Sequence, residues 1–213
     1  MKIVSLTLAR GGSKEIKNKN LVKIKQMPLI YYQIKNCLSV SQISDSYVSS
    51  DSNLILKEAE SFGAIAIKRP KEISGDTARC EESLLHFCDA IDFDVLVFAQ
   101  ATSPLIIPED IEKGIKKFLA GNYDSIFSVT EEHWVPRWTK NLTPVGWDHF
   151  NRPRRQTMKS TLVENGAFYI TSKDFLVKNK NRYGGVLGVI KIPLSRSFQL
   201  DTHEDLELIE RLL

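Results

Sequence analysis

Asp94-Val95-Leu96-Val97-Phe98-Ala99 is the strongest buried-strand signal in the chain: one acid, then an unbroken apolar run. A run this short and this apolar reads as a strand covered on both faces. Upstream, Ile3 to Leu8, Tyr47-Val48-Ser49-Ser50 and Ala64 to Ile67 read the same way; downstream, so do Ser125 to Thr130, Phe168-Tyr169-Ile170 and Gly188 to Ile192. Helical spacing fills the gaps. Leu29-Ile30, Ile34 and Leu38 follow Pro28, which a first turn tolerates, and Leu54, Ile55, Ala59 and Phe62 precede a terminating Gly63. A third helix is expected from Thr77 through Leu84-Leu85 to Ile91. A fourth is opened by Pro108 with Glu109-Asp110, and a last one runs from Thr202 to Leu213. The alternation predicts a three-layer, mainly parallel α/β sheet in a single domain over residues 1–213.

The rhythm breaks over 131–163. That stretch holds Trp134, Trp138 and Trp147, three prolines, and the cations Arg137, Lys140, Arg152, Arg154, Arg155 and Lys159. It is too short for a core of its own and reads as an inserted arm. Basic residues interleaved with tryptophan also suit single-stranded nucleic acid, a reading kept as a minor rival.

Composition narrows the class. The 213 residues are 42% hydrophobic, enough for a core without covalent staples, and the net charge of +3 selects no partner. Cys37, Cys80 and Cys88 are odd in number and form no CxxC pair; His86, His133, His149 and His203 are scattered. A zinc site or disulfide framework is therefore not expected, and a reducing cytoplasm is. No apolar run approaches the ~20 residues of a membrane span. Met1-Lys2-Ile3-Val4-Ser5-Leu6 enters a strand directly, without the apolar region and cleavage site of a signal peptide.

The first strand leads into Ala9-Arg10-Gly11-Gly12-Ser13-Lys14, then Lys17-Asn18-Lys19-Asn20. Adjacent glycines permit positive φ, so backbone N–H groups can converge on an anion. Arg10, Lys14, Lys17, Lys19, Lys23 and Lys25 face a single acid, Glu15, at the strand end where open α/β sheets bind ligands. Neither GxxxxGK[ST] nor GxGxxG is present. A polyphosphate site and a solvated basic turn both remain open on charge alone.

Spacing separates them. Ala9 to Asn20 resembles the ARGGSKGIxxKN signature of the acylneuraminate cytidylyltransferases, the CMP-sialic acid synthetases, with Glu15 in place of glycine. The likeness continues in order through Val48-Ser49-Ser50-Asp51-Ser52, Lys68-Arg69-Pro70 with Asp76-Thr77-Ala78, and Gln100-Ala101-Thr102-Ser103-Pro104-Leu105. It ends with Arg154-Arg155-Gln156, Glu164-Asn165-Gly166-Ala167 and Leu200-Asp201-Thr202 before Glu204-Asp205-Leu206. The resemblance implies a Rossmann-like nucleotidyltransferase fold with a dimerisation arm. It also implies transfer of CMP from CTP to the anomeric hydroxyl of a nonulosonic acid, with Mg²⁺ (or Mn²⁺) as cofactor.

Residue by residue, it implies that Arg10, Lys19 and Asp201 are catalytic. Leu8, Ala9, Arg10, Gly11, Gly12, Asn20, Arg69, Thr77, Ala78 and Cys80 are implied to bind CTP. Gln100, Thr102, Ser103, Arg155, Gln156 and Asn165 are implied to hold the sugar. Asp201, with Gln199, is implied to hold the metal. Partners implied are CTP, the sugar and a second copy of the chain, with no nucleic acid and no membrane. The pattern departs in places: Ile106 stands where arginine is usual, Cys80 for a serine, and Gln199-Leu200-Asp201 for DxD. The related Kdo cytidylyltransferases also carry a single Asp there. They pair it with an aspartate on the central strand loop, and this chain has no acid between Gln100 and Pro108. A Kdo-type acceptor and a catalytically weak nucleotide-sugar binder are the alternatives.

Overall fold

The computed structural model describes residues 1–213. Strands β1 (Ile3–Leu8), β4 (Asp45–Ser50), β5 (Ile65–Lys68), β6 (Val95–Ala99), β7 (Ser125–Glu132), β8 (Thr161–Ser172) and β9 (Leu187–Lys191) form one sheet, ordered β5-β4-β1-β6-β8-β7-β9. The small strands β2 (Lys23–Ile24) and β3 (Met27–Pro28) pair separately, across a turn whose residues Lys25 and Gln26 have φ of 43° and 72°. Helices are α1 (Leu29–Leu38), α2 (Asn53–Ser61), α3 (Cys80–Ala90), α4 (Pro108–Leu119), α5 (Lys173–Asn179) and α6 (His203–Leu212).

The apolar run that opened the reading is the central strand. Every residue of β6 is buried, and its side chains divide with the period of two that a strand dictates. Val95, Val97 and Ala99 join Ile111 and Ile115 of α4, with Phe168 and Ile170 of β8, on one face. Leu96 and Phe98 join Leu84 and Phe87 of α3, with Tyr169 and Leu176, on the other. Two apolar faces need two covering layers, so three layers follow from this one strand.

The sheet departs from all-parallel at one strand. β8 runs antiparallel to both β6 and β7, while the remaining pairs are parallel. Its register against β7 jumps between Phe127 and Val129, so that Tyr169 faces Phe127 and Glu164 faces Val129. The chain between those partners is a bulge, and it lies inside the sheet at the level where β6 ends at Ala99, opposite Phe168. The arm is shorter than 131–163: β7 continues to Glu132 and β8 starts at Thr161, so ladder bonds claim both tips.

Two helix boundaries also differ from expectation. α3 begins at Cys80 rather than Thr77, because a 3₁₀ turn over Lys71–Ile73 and a Gly75–Ala78 turn occupy the preceding chain. α5 was not legible from periodicity. It has only seven residues and is set by Ser172, whose hydroxyl accepts the Phe175 N–H at 3.1 Å. Cys37 and Cys88 are buried thiols, their pKa pushed up to about 11 by desolvation, as core packing groups should be. No helix is long and apolar enough to cross a membrane.

Close packing of α4 on the sheet depends on Gly114. A Cβ there would lie 2.7 Å from Ile170 Cδ1 and 3.0 Å from Phe168 Cε2, both in the core. Gly114→Val should therefore lower stability by ~2 kcal/mol, the scale of overpacking. Thermal unfolding should show a fall of roughly 4–8 °C. An unchanged midpoint would mean that α4 can lift away freely.

Candidate active site

Strand order reverses between β1 and β6. The chain leaves β1 toward β4 and β5, then returns to build β6 on the other side. Such a switch point leaves a crevice outside the strand ends. Two cavities open there, of about 330 Å³ and 680 Å³, and Gln100, just past β6, lines both.

The smaller cavity carries cations. Arg10, Lys19 and Asn20 line it from the loop after β1, Arg69 from the end of β5, and Ala78 and Cys80 from the start of α3. Leu8 lines it as expected, while Ala9, Gly11, Gly12 and Thr77 lie outside the wall, Ala9 buried and Thr77 exposed; Thr102, expected at the sugar, lines this cavity instead. Gly11 and Gly12 do not adopt positive φ; Asn18, at φ 54°, does. Gly11 instead donates its N–H to Asp51 Oδ1 at 2.8 Å, and a Cβ there would sit 3.0 Å from Ser52 Cβ. Its glycine character serves close approach to the end of β4, not an anion nest. Asn20 is buried and donates its amide to Arg10 O at 2.9 Å, which fixes the loop from beneath.

Arg69 is the most telling residue here. It is only 4% exposed, and its guanidinium donates to Ser74 Oγ at 3.0 Å and Ser83 Oγ at 2.8 Å. Desolvation lowers its pKa; the charge of Asp51 offsets only part of that cost, and no carboxylate forms an ion pair with it. A buried cation held by neutral hydroxyls is a donor array waiting for an acceptor-rich ligand. Sequence reading missed Ser74 and Ser83, although Ser83 lies three residues after Cys80 and so on the same helix face.

The larger cavity is lined by Gln100, Arg155, Glu164, Asn165, Tyr169 and Gln199, with others. Asn165 was expected to contact a sugar, yet every hydrogen-bonding position of its side chain is used. Oδ1 accepts from Ser128 Oγ at 2.6 Å and Ala167 N at 3.2 Å; Nδ2 donates to Ser197 Oγ at 3.1 Å and Thr130 Oγ1 at 3.4 Å. That exhausts an asparagine amide. Asn165 shapes the wall of the cavity with its amide fully engaged by the protein. Gln156 does not reach the cavity, and Ser103 is buried with an unpartnered hydroxyl. Ile106, the departure from an expected arginine, points into the core and meets no ligand space.

The segment Gln199-Leu200-Asp201 crosses between the cavities. Leu200 is buried and its N–H bonds to Thr102 O at 2.8 Å. Gln199 Nε2 donates to Asn165 O at 2.5 Å, and Asp201 Oδ1 accepts from Lys19 Nζ at 2.8 Å. Asp205 holds the backbone here: its carboxylate accepts from Asp201 N at 3.0 Å and Thr202 N at 2.7 Å, closing a capping box on α6. Burial raises the Asp205 pKa, but these N–H donors and the Thr202 hydroxyl outweigh it and hold the group ionised. His203 is an exposed first-turn residue.

No three His, Cys, Asp or Glu side chains gather to hold a metal. The local donor set is one carboxylate, Asp201, and the amide oxygen of Gln199, whose nitrogen must face the Asn165 carbonyl. These are hard oxygen donors, too few for an all-protein cage, and they fit a divalent cation whose remaining ligands come from outside the protein.

An α/β sheet with a cationic pocket and an adjoining larger pocket at its switch point defines a class, and comparison identifies the family. The cytidylyltransferase family model matches residues 4–212, and the chain belongs to that family. N-acylneuraminate cytidylyltransferase A of Danio rerio is 31% identical, over 98% of this chain and 50% of that protein. Pseudaminic acid cytidylyltransferase of Campylobacter jejuni is 29% identical, over 100% of this chain and 96% of that one. The chain thus spans about half the length of the N-acylneuraminate relatives it matches. Among solved structures, CMP:2-keto-3-deoxy-manno-octonic acid synthetase complexed with CTP shares the fold. Its TM-score is 0.79 at 16% identity, over 100% of this chain and 98% of that one.

The Asn165 amide can be tested as the structural joint of the site. Asn165→Ala strips four hydrogen bonds and strands buried hydroxyls, a loss of ~3 kcal/mol. The midpoint of thermal unfolding should fall by roughly 6–12 °C. A variant of native stability would return Asn165 to the role of a sugar contact.

Proposed function

We propose that this chain transfers CMP from CTP to the anomeric hydroxyl of a nonulosonic acid, releasing pyrophosphate. The observation that carries the reading is the pair of cavities sharing Gln100, one cationic and one larger, at the switch point of the sheet. The dimensions suit a nucleotide on one side and a nine-carbon sugar acid on the other.

Each side has chemistry to match. Cytosine presents O2 and N3 as adjacent acceptors, which the buried Arg69 guanidinium can serve; a uracil N3–H would meet it donor to donor. Arg10, Lys14 and Lys19 neutralise the triphosphate and, as pyrophosphate departs, the charge it gains. Arg155 lines the acceptor cavity without a carboxylate partner and is the group suited to the sugar's carboxylate. Gln100 stands between the substrates and orients the attacking hydroxyl toward the α-phosphorus. A new O–P bond forms there, the bond from the α-phosphorus to the bridging oxygen breaks, pyrophosphate leaves with that oxygen, and the hydroxyl proton passes to water. Most of the rate then comes from positioning and charge neutralisation. Cytidylyltransferases of this kind generally use a divalent metal. Here Asp201 and the Gln199 amide oxygen would hold Mg²⁺, which as a Lewis acid offsets phosphate charge.

We assign the arm to a second copy of the chain, as a homodimer. Val135, Trp138, Leu142, Val145 and Phe150 are exposed on it, Phe150 by 85%, while Trp147 packs edge-on against Trp134 and Trp138. An ordered aromatic cluster rimmed by exposed apolar side chains suits an interface core. Light scattering at micromolar concentration should return the mass of two chains, and a monomer would remove this assignment.

Kinetics test the reaction itself. With CTP, Mg²⁺ and a panel of nonulosonic acids that includes Kdo, pyrophosphate should appear only when an acceptor is present. Arg10→Ala should lower kcat/KM by at least ~100-fold, about 2.7 kcal/mol of transition-state stabilisation, with the fold intact. Asp201→Asn should cost more than ~10-fold, or ~1.4 kcal/mol. No pyrophosphate with any acceptor would leave a nucleotide-sugar binder; near-normal rates in either variant would void that residue's role.

A further inference from the structure

The cations of the phosphate loop are not free. Arg10 NH1 bonds to Asp76 Oδ1 at 2.7 Å, and Lys14 Nζ lies 3.0 Å from Asp76 Oδ2. One carboxylate thus gives an oxygen to each of two cations, 66 residues away from Arg10 in sequence. This is the arrangement that a phosphate would make with the same pair.

Asp76 has no other task in the structure. Its carboxylate accepts no backbone N–H, caps no helix and is exposed; the Gly75–Ala78 turn closes through its own backbone bond. Nothing packs within 4 Å of the place a Gly75 Cβ would take, so the segment carrying Asp76 has room to swing. Both Gly75 and Asp76 line the same cavity as Arg10 and Lys19. Hydrogen bonds from Lys14 and Arg10 hold the carboxyl below its usual range, which keeps it an anion.

We propose that Asp76 is a built-in phosphate surrogate: its carboxylate fills the Arg10–Lys14 clamp until a polyphosphate displaces it. It thereby sets the preference of the site for a triphosphate over shorter phosphates. The proposal rests on the reading that this cavity takes a nucleoside triphosphate. A monophosphate must evict Asp76 with little charge to offer in exchange. A triphosphate brings several charges and gains Lys19 besides, so it displaces the carboxylate readily. The same competition acts on the product. As pyrophosphate loosens, Asp76 closes behind it and opposes rebinding.

Calorimetric titration of the whole chain with inorganic pyrophosphate, CMP and CTP tests this, using wild type, Asp76→Asn and Asp76→Ser. Both variants should bind pyrophosphate about fivefold tighter, the scale of one exposed ion pair released. The affinity gap between CTP and CMP should narrow by a similar factor. Adding Arg10→Ala to either variant should erase the gain. Unchanged or weaker pyrophosphate binding in variants of native melting temperature overturns the proposal, as does a gain that survives Arg10→Ala. Loss of CTP binding with pyrophosphate binding unchanged also overturns it, and would make Asp76 a base or ribose contact. Failure of the wild-type protein to bind CTP would count against the nucleotide reading alone, because the pyrophosphate comparison stands without it.

Discussion

The saturated amide of Asn165 is the joint on which the site is built. It sits in the bulge where β8, the one antiparallel intruder, meets β7, and its four hydrogen bonds tie together β7, β8 and Ser197. Its own carbonyl then takes the Gln199 amide. Next to it, Gly166 holds φ at 67°, and a Cβ there would lie 2.4 Å from Gln199 Nε2. Only glycine allows that approach without strain. The peptide after it bonds Ala167 O to Gln100 N at 2.9 Å, so the residue shared by both cavities is set by the same bulge. A buried polar network of this kind is stabilising only when complete.

Charge is the second constraint, and it is left incomplete by the protein alone. Arg10 and Lys14 share one aspartate, Lys19 borrows Asp201, and the buried Arg69 has only hydroxyls. The loop supplies more positive charge than the fold neutralises. Folding stability comes from the two apolar faces of the sheet, which leaves the rim free to carry unbalanced cations. Under the proposed function, a triphosphate that took Lys19 would leave the Asp201 carboxylate free to hold a divalent cation.

Much of this was legible in the sequence, for reasons that differ by element. β6 announced itself because both its faces are buried, which removes the polar residues that would blur the signal. Of the residues singled out through ordered resemblance, Arg10, Lys19 and Arg69 line the cationic cavity and Asp201 bonds to Lys19 at its wall. The reversal of β8 was not legible, because a strand's direction is fixed by tertiary pairing and leaves no mark in its residue pattern. Asp76 was read only as part of a motif, and Ser83 was passed over, because each meets its partner side chain only in the folded chain. Gly11 and Gly12 misled in detail: glycine pairs signal permissive φ, but here Gly11 serves close approach to Asp51 and Ser52, and Gly12 stands in open space. The arm's boundaries blurred because strand tips with polar sequence still complete the ladder.

The central claim is that nucleotide and acceptor meet across Gln100, with the base on Arg69 and the sugar carboxylate on Arg155. The most direct test is a crystal structure of the protein with both a nonulosonic acid and a CTP analogue bridged by methylene between the α- and β-phosphorus atoms. The account predicts cytosine against Arg69 and the anomeric oxygen about 3–3.5 Å from the α-phosphorus, the separation of a near-attack pair. A nucleotide seated in the larger cavity, or an acceptor bound with its anomeric oxygen turned away from the α-phosphorus, would contradict it.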